Sequence, residues 1–200
     1  RPESMQSSTK RHPSSLRASA GCDADGCVTA YDFAGDFNTG AYSSWGPTVA
    51  NRVPIHAAGP YRFANQRALT RAVLTHNSVA GAFRGFGVPQ STLLGERLID
   101  ELAERCSIDP LEFRHRNALR TGDTTGTGQR LTASVGLQAC LDALRPAWQT
   151  ARLAAQVFND SAGAGAPQRR GVGIACMWYG IGNTVIANPS TMRGSLRLSS

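Results

Sequence analysis

The chain has 200 residues, of which 41% are apolar and 18% are charged, proportions that are typical of globular proteins and exclude an intrinsically disordered chain. The formal net charge is +7, but the 21 basic residues are spread along the chain and only Lys10 is a lysine. Nucleic-acid-binding proteins concentrate basic residues on one face or helix. We therefore expect no nucleic-acid partner, and a basic nucleic-acid-binding module stays the weaker alternative.

The five cysteines are odd in number and include no Cys-x-x-Cys pair, so their spacing predicts neither a zinc site nor an iron–sulfur site. Cys22 and Cys27 flank a predicted turn, where a cross-strand pair is geometrically allowed, but reduced thiols are the simpler interpretation. No apolar run reaches the roughly 18 residues of a membrane span, and the first residues lack the apolar segment of a signal peptide. We expect a cytoplasmic protein with no membrane segment.

Strands dominate the first part of the predicted structure. Residues 16–42 alternate apolar and polar side chains around an Asp-Gly turn, which predicts a β-hairpin. A short helix is predicted through residues 46–56 and a further strand over residues 68–75. A glycine-rich loop, residues 80–87, follows that strand and leads directly into a helix.

Helices dominate the middle of the chain. The helix after the loop carries an apolar stripe at i, i+4 spacing, formed by Leu94, Leu98, Leu102 and Cys106. A second helix is predicted to begin after Asp109, whose carboxylate is an N-cap followed by a proline, and to reach about Leu119. A third is predicted to begin at a Ser134 cap and to kink or restart at Pro146.

The last part of the chain returns to strand-like sequence. A flexible Gly/Ala-rich linker is predicted over residues 161–170, a buried strand over residues 171–179 and the start of another over residues 195–200. The order of strands, helices and strands favours an α+β fold, in which a helical layer covers a mixed or antiparallel sheet. It disfavours a doubly wound parallel sheet.

The loop over residues 80–90 carries the strongest chemical signal. Glycines at positions 81, 85 and 87 allow positive φ angles and a close approach of the backbone to a ligand. The following helix directs its free amides and the positive end of its dipole at the loop, and Arg84 adds a permanent charge. The alternative is an ordinary strand-to-helix turn whose phenylalanines fill the core. Gly85-x-Gly87 and Gly171-x-Gly173 do not complete the dinucleotide-binding pattern.

Several groups of motifs follow one another along the whole chain. They are Arg1-x-Glu3-x-Met5 with Arg11-His12-Pro13, the stretch from Asn38 to Tyr42, the run from Ala82 to Gly87 with Pro89-Gln90, Gly122-Asp123 with Gln129-Arg130-Leu131, and the stretch from Arg170 to Val185. Their residues and order resemble the molybdopterin-binding large subunit of the xanthine dehydrogenase/aldehyde oxidase family. The resemblance implies an internal part of such a subunit, with residues 1–160 in the first molybdenum-cofactor-binding domain, residues 161–170 as a linker and residues 171–200 as the start of the following strand segment.

The resemblance also implies a cofactor, molybdenum held on a pyranopterin (molybdopterin), and hydroxylation of an sp² carbon with water as the oxygen source. It implies that Phe83, Arg84 and Gly85 bind the cofactor, with the backbone amides of Phe83 and Arg84 facing the ligands of the molybdenum. Arg52 falls where purine-oxidising members carry a catalytic arginine that stabilises negative charge on the substrate. Phe86 falls where they carry an aromatic wall against a flat substrate.

Two further substrate-binding positions are implied near the end of the chain. Thr184 falls at a substrate-side threonine of the family, whereas Asn183 stands where purine oxidisers carry a second phenylalanine. An amide offers hydrogen bonds but loses the packing of an aromatic ring. We therefore expect a planar N-heteroaromatic substrate, purine- or nicotinate-like, or an aldehyde, and xanthine itself is disfavoured.

Other parts of the expected enzyme lie outside this chain. Since the sequence has no flavin motif and no iron–sulfur cysteine pattern, [2Fe-2S] clusters and FAD are expected on partner domains or subunits. The resemblance puts the remaining molybdopterin-binding domain and its catalytic glutamate beyond Ser200, and Glu3, Glu96 and Glu112 are interpreted as surface or capping residues. We expect the chain to be inactive by itself. The alternative is a non-catalytic structural or interaction domain that binds no cofactor.

Overall fold

A computed structural model describes residues 2–163 and 165–180. Its helices and strands, in chain order, are α1 (Pro2–Ser7), β1 (Ser14–Cys22), β2 (Val28–Gly40), α2 (Gly46–His56), β3 (Asn65–Leu74), α3 (Val88–Arg105), α4 (Pro110–Asn117) and α5 (Leu137–Ala162). The predicted α+β class is confirmed, since helices accompany a three-stranded sheet. The short helix α1 is an element that the sequence did not predict.

The sheet has the strand order β1–β2–β3 and is mixed. Strands β1 and β2 form the predicted antiparallel hairpin, in a register that begins with Ser14 opposite Phe37. Strand β3 runs parallel to β2, beginning with Asn65 opposite Ala30. A parallel pair needs a long crossover connection, and the segment that contains α2 supplies it.

The two faces of β2 have different environments. The inward-facing residues are buried or half-buried: Tyr31, Phe33, Gly35, Phe37 and Thr39. On the outer face, Asp32 and Asp36 lie opposite Arg67 and Arg71 of β3 and accept paired hydrogen bonds of 2.6–3.1 Å from them. Exposed ion pairs contribute little to stability. Opposite charges directly across two strands nevertheless favour this register.

The core lies between the inward face of the sheet and the helices α2, α3 and α4. Its fully or nearly fully buried apolar side chains include Phe33, Phe37, Val49, Val53, Ile99, Ala103, Leu111 and Phe113. The α2 residues of this set are four positions apart, so they lie on one side of the helix. This packing fixes α2 against the sheet and so fixes the direction of its buried polar side chains, Arg52 and His56.

Helix α2 contains Pro54, which has no amide hydrogen to donate to the carbonyl of Ala50 one turn earlier. The hydroxyl of Thr70 in β3 donates to that carbonyl at 2.6 Å. A side chain of the neighbouring strand therefore replaces the missing helical hydrogen bond. This replacement also ties α2 to β3 beside the position of Arg52.

The helices predicted in the middle of the chain are present, but the predicted first residue of the last one is wrong. The carboxylate of Asp109 caps α4 by accepting from the amides of Leu111 and Glu112 at 2.9 and 3.2 Å, as predicted. Helix α5 begins after Gly136 and not at a Ser134 cap, because Ser134 has a left-handed backbone with φ +58°. The helix also continues through Pro146 to Ala162, so the predicted restart is wrong.

The strand predicted over residues 171–179 is also wrong. The chain there is irregular, and within the described part of the structure its backbone forms no hydrogen bonds with another strand. Its apolar side chains are nevertheless drawn inward, since Cys176 is buried and Ile174 packs against the core. The division of the chain at residues 161–170 stays a prediction.

The longest helix, α5, is amphipathic and too polar to span a bilayer. In the part of the chain that the structure describes, no helix combines the length and the apolar character needed to cross a membrane. Helix α5 contacts α4 through the buried side chains of Leu141 and Trp148. Its opposite side leaves Leu153 and Val157 exposed.

Candidate functional site

The loop between β3 and α3 makes two tight turns in succession. The amide of Phe86 donates to the carbonyl of Phe83 at 2.9 Å, and Gly85, the third residue, has φ +94°, which defines a type II turn. The amide of Val88 donates to the carbonyl of Gly85 at 3.0 Å, and Phe86 (φ +46°) and Gly87 (φ +82°) are both left-handed, as in a type I′ turn. Phe86 thus holds a conformation that costs a non-glycine residue about 1–2 kcal/mol.

The glycines of this loop also lie where a side chain would not fit. A Cβ atom on Gly85 would lie 2.4 Å from Cγ of Pro89, and one on Gly87 would lie 2.6 Å from Cγ2 of Val53. The second contact places the loop directly against α2. The expected positive φ angles are confirmed at both positions, but Gly81 has none and is required by close packing alone.

The segment before β1 holds the loop from one side. A guanidinium nitrogen of Arg11 donates to the carbonyl of Arg84 at 2.7 Å, and the guanidinium lies 4.6 Å from the ring centre of Phe83. The side-chain amide of Gln90 donates to the carbonyl of His12 at 3.1 Å. These contacts hold the carbonyl of Arg84 and the first turn of α3 against the segment before β1. The sequence motifs contained Arg11 and Gln90 but did not reveal that they anchor the loop.

The amides of four successive loop residues have no acceptor in the described part of the chain. These residues are Ala82, Phe83, Arg84 and Gly85, and the first three are exposed. The row of amides lies just before the N-terminal end of α3, where the helix dipole is positive. Such a group of N–H donors is suited to binding anionic or electron-rich oxygen atoms.

Aromatic rings lie next to these amides. Phe86 is half-buried, packs against the core and contacts Trp45 edge-on with ring centres 6.0 Å apart. Phe83 is 44% exposed, and Trp45 is 45% exposed. The interpretation that both phenylalanines only fill the core therefore fails for Phe83, because its ring is available to a ligand.

Arg52 and His56 lie one turn apart on α2, and both contact the peptide groups of Gly180. The side chain of Arg52 donates to the carbonyl of Gly180 at 2.6 Å, and the amide of Gly180 donates to Nε2 of His56 at 3.0 Å. Both residues are buried. Burial lowers the pKa of His56. Sequence reasoning missed His56, although its spacing of four residues from Arg52 on a helix was visible.

The loop that contains four of the predicted positions, Phe83, Arg84, Gly85 and Phe86, packs against the helix that contains Arg52. Val53, the neighbour of Arg52, contacts Gly87 at the end of the loop that contains the cofactor-binding and aromatic-wall positions. Asn183 and Thr184 lie outside the described residues, and the described chain ends three positions before Asn183. Arg52 is hydrogen-bonded to Gly180, the last residue that the structure describes.

Glu96 is buried, so its interpretation as a surface or capping residue is wrong. Its carboxylate accepts from the hydroxyl of Tyr61 at 2.7 Å, from Nε of Arg114 at 2.9 Å and from the amide of Cys176 at 2.9 Å. Arg114 is fully buried and also donates to Asp100 at 2.7 Å. Burial and the charge of Glu96 raise the pKa of Tyr61 well above its ordinary value. These contacts join α3, α4 and the segment around Cys176, and the positive charge of Arg114 lies next to the carboxylate.

All five cysteines lie in the part of the chain that the structure describes, and they are free thiols there. Within residues 2–163 and 165–180, no group of three or more His, Cys, Asp or Glu side chains is arranged to hold a metal ion. The Sγ atom of Cys22 lies 3.4 Å from that of Cys106, just after α3, so the considered pairing of Cys22 with Cys27 is not the contact that forms. Burial and the neighbouring thiol raise the pKa of Cys22 to about 11, which keeps it protonated and unreactive.

A family model for the molybdopterin cofactor-binding domain matches residues 1–118, which is more than half of the chain. The chain belongs to the molybdopterin cofactor-binding domain family. The resemblance to xanthine dehydrogenases and aldehyde oxidases that the motifs indicated is thereby confirmed. The match includes the whole sheet, the glycine-rich loop, α3 and α4.

Relatives of this molybdopterin-binding domain are large enzymes. The large molybdopterin subunit of nicotinate dehydrogenase from Eubacterium barkeri is 41% identical over 145 residues, which cover 72% of this chain and 34% of the relative. The aldehyde oxidoreductase of Megalodesulfovibrio gigas is 36% identical over 180 residues, which cover 90% of this chain and 19% of the relative. The solved structure of an aldehyde oxidoreductase from Desulfovibrio gigas matches with a TM-score of 0.76 at 35% identity, over 80% of this chain and 18% of that one.

The chain therefore spans between about a fifth and a third of the length of these relatives. The donors of its loop have the chemistry that a molybdopterin centre requires, because the resemblance gives the metal oxygen ligands and free amides are hydrogen-bond donors to oxygen. The exposed guanidinium of Arg84 adds positive charge beside them. The residues present thus fit the cofactor of the family.

Proposed function

We propose that this domain forms one wall of the cofactor and substrate site of a molybdenum hydroxylase. Its substrate would be a planar N-heteroaromatic compound, purine- or nicotinate-like, or an aldehyde, with water as the source of oxygen. The observation that carries the proposal is the row of free amides from Ala82 to Gly85, in a loop that packs against the helix of Arg52. Relatives named nicotinate dehydrogenase and aldehyde oxidoreductase support the substrate class.

The loop residues bind the cofactor through their backbone. When bound, molybdopterin supplies the metal centre that takes up electrons from the substrate carbon. The amides of Phe83 and Arg84 donate hydrogen bonds towards the ligands of the molybdenum, and Gly85 lets the backbone approach the cofactor closely. Because Arg11 holds the carbonyl of Arg84, the amides are already oriented before the cofactor binds.

The substrate lies between an aromatic wall and a positive charge. Phe86 stacks against the plane of the substrate, and Arg52 stabilises the negative charge that develops on it in the transition state. Arg52 is only 7% exposed, and charges interact more strongly in a buried site than in water. Asn183 and Thr184 complete the substrate side, and the amide of Asn183 selects a polar substituent.

The remaining parts of the enzyme belong to other domains or subunits. [2Fe-2S] clusters and FAD on partner chains carry the electrons away from the site. A second molybdopterin-binding domain encloses the cofactor from the other side and provides the glutamate base. The assembly is expected in the cytoplasm.

Two substitutions at Arg84 separate the backbone amide from the side-chain charge. Arg84 is the second residue of a type II turn, where proline is favoured, so Arg84→Pro removes the amide and leaves the turn allowed, whereas Arg84→Ala keeps the amide. Molybdenum and pterin are measured by metal analysis and pterin fluorescence in the assembly purified through a tag on this chain. We expect near-stoichiometric molybdenum in the wild type, a loss of at least about tenfold in Arg84→Pro, since a charge-assisted hydrogen bond contributes about 1.5–3 kcal/mol, and a smaller loss in Arg84→Ala.

Two outcomes of this experiment would contradict the proposal. Equal molybdenum content in Arg84→Pro and Arg84→Ala would contradict the role of the amide. Absence of molybdenum and pterin from a folded wild-type assembly would contradict the enzyme proposal and favour a non-catalytic structural domain.

A further inference from the structure

Two cysteines that are far apart in sequence have their sulfur atoms in contact. The Sγ atoms of Cys22 and Cys106 lie 3.4 Å apart, although 84 positions separate the two residues. Both are free thiols, and one of them donates a hydrogen bond to the other. Both side chains are half-buried against the core, so a small solute can reach them, whereas the thiol of Cys176 is buried. We call Cys22 and Cys106 the thiol pair.

The thiol pair lies where strand β1 meets the C-terminal end of α3. Cys22 is the last residue of β1, an edge strand of the sheet, and the register of β1 with β2 shifts at this position. Cys106 follows α3 directly, and its amide donates to the carbonyl of Leu102 at 3.0 Å. Since a strand holds one backbone and a helix holds the other, the folded chain keeps the two sulfur atoms together.

A disulfide bond within the thiol pair requires only a small movement. The length of an S–S bond is about 2.05 Å, so the two sulfur atoms must approach each other by about 1.4 Å. Cys27 is a competing partner for Cys22, because it is only five positions away in sequence. By the 3/2 power of the ratio of loop lengths, an unfolded chain brings Cys22 to Cys27 roughly 70 times more readily than to Cys106. Contact in the fold reverses this preference.

Hydrogen peroxide is a small oxidant that can convert two thiols into a disulfide. Burial and the neighbouring thiol raise the pKa of Cys22 to about 11, so Cys22 stays protonated and the sulfur of Cys106 attacks the peroxide. The O–O bond breaks and an S–O bond forms, which gives a sulfenic acid on Cys106 and one water. The sulfur of Cys22 then attacks that of Cys106, the S–O bond breaks, and the leaving hydroxide takes the proton of Cys22 as a second water. Although Cys22 is a weak nucleophile, this second step joins two atoms already in contact.

We infer that Cys22 and Cys106 are a peroxide-sensitive modification site, at which a disulfide bond joins the edge of the sheet to the end of α3. The bond closes a loop of 84 residues that contains β2, α2 and β3, so it restricts the unfolded chain and stabilises the fold. The 18 residues of α3, about 27 Å of helix, separate the thiol pair from the glycine-rich loop. The inference therefore does not depend on the proposed function.

Peptide mapping after peroxide treatment tests the site. The assembly purified through a tag on this chain is reduced, freed of reductant, treated with hydrogen peroxide and blocked with N-ethylmaleimide. Trypsin places Cys22 in the peptide over residues 18–52 and Cys106 in the peptide over residues 106–114. We expect mass spectrometry to find these two peptides joined by a disulfide, at least about tenfold more abundant than any other cysteine pair, because only this pair is in contact. Cys22→Ser and Cys106→Ser should abolish the product, and the control Cys27→Ser should keep it within about twofold of wild type.

Two further measurements distinguish a site built by the fold from unspecific oxidation. The chain unfolded in urea and treated in the same way should yield mainly the Cys22–Cys27 product, which the shorter loop favours. The oxidised wild type should unfold at least about 5 °C above the reduced protein, because the closed loop is long, and Cys106→Ser should show no such difference. A folded wild type in which the Cys22–Cys106 product is absent, or no more abundant than the Cys22–Cys27 product, overturns the inference. A cross-link that leaves the unfolding temperature unchanged overturns its stabilising effect.

Discussion

Glu96 and Arg114 illustrate how strongly a single residue can depend on its partner. The carboxylate of Glu96 loses contact with water on folding but gains donors from Tyr61, Arg114 and the amide of Cys176. Removing one member of such a buried pair leaves the other charge without compensation. Each residue is therefore stable in the core only while the other is present.

We expect Arg114→Met to lower the free energy of unfolding by about 3–5 kcal/mol, the range for a broken buried ion pair. Urea denaturation followed by tryptophan fluorescence measures the change. Arg97→Met removes an exposed partner of Glu101 on α3 and should cause a change too small to resolve. Equal effects of the two substitutions would contradict the buried role of Arg114.

Residue-level predictions from sequence succeeded where the cause was local. The positive φ angles of Gly85 and Gly87 followed from a glycine pattern within one loop. The burial of Glu96 depends on Arg114, 18 positions later on another helix, and the role of His56 depends on Gly180. Local sequence contains no information on such distant partners.

Helix α2 depends on a neighbouring strand for its own regularity. Pro54 leaves the carbonyl of Ala50 without a helical donor, and the hydroxyl of Thr70 in β3 takes that place. Because Arg52 and His56 flank Pro54 in sequence, the contact stabilises the part of the helix that holds both side chains.

The Thr70 contact predicts a non-additive pair of substitutions. Thr70→Val should lower the free energy of unfolding by about 1–3 kcal/mol, because it leaves a buried carbonyl unsatisfied. Pro54→Ala supplies a backbone amide for the same carbonyl, so Thr70→Val should be less destabilising in that background. A double-mutant cycle by urea denaturation measures the coupling. Additive effects would contradict the replacement of the helical hydrogen bond by Thr70.

Asp109 predicts a pH dependence at the junction of α4 and α5. Partial burial raises the pKa of Asp109, but hydrogen bonds from Trp148 and from the amides of Glu112 and Leu111 outweigh it, so the pKa is lowered. A carboxyl group whose pKa is lowered on folding stabilises the fold at pH values above its pKa in the unfolded chain, which is about 4. This stabilisation is lost as the pH falls through the pKa of the carboxyl group in the folded chain.

The Asp109→Asn variant isolates the contribution of the carboxylate, because an asparagine side chain still caps the helix but carries no charge. The variant should be less stable than the wild type at pH 6, and this difference in stability should become smaller as the pH falls below about 4. Thermal unfolding at a series of pH values measures it. A gap that stays constant down to about pH 3 would disprove the contribution of the ionised carboxylate.

Elements with strong local signals were predicted well, and those defined by partners were not. The hairpin follows from its turn, and α4 from its Asp-Pro cap. The sequence of β3 contains no indication that it pairs in parallel with β2. The segment over residues 171–179 has strand-like alternation, but the amides of Cys176 and of Gly180 just after it bond to side chains instead of a strand.

At the scale of the whole molecule, one side of α5 leaves apolar side chains exposed. Leu153 and Val157, four residues apart, are 63% and 59% exposed, and Leu153 lines a surface groove together with the exposed Val172. Exposed apolar patches of this kind favour association. The matched region is only 34% and 19% of the length of the two relatives, so those proteins contain further residues that can cover such a patch.

The 200-residue chain expressed by itself should therefore self-associate. We expect its average mass in sedimentation equilibrium to rise with concentration, and Leu153→Gln combined with Val157→Gln to reduce the rise. Leu93→Gln, at a leucine that is 77% exposed on α3, should leave the concentration dependence of the average mass unchanged. An equal reduction by Leu93→Gln would show that the association is not specific to α5.

The hydrogen bonds that join Arg52 and His56 to Gly180 can form only late in synthesis. Helix α2 leaves the ribosome first, and Gly180 follows His56 by 124 positions. At about 5–20 residues per second, that interval is roughly 6–25 s. During it, the hairpin, the crossover and the helices can assemble. A hydrogen-bonded Gly180 therefore marks a nascent chain in which the sheet and the helices before it have already been synthesised.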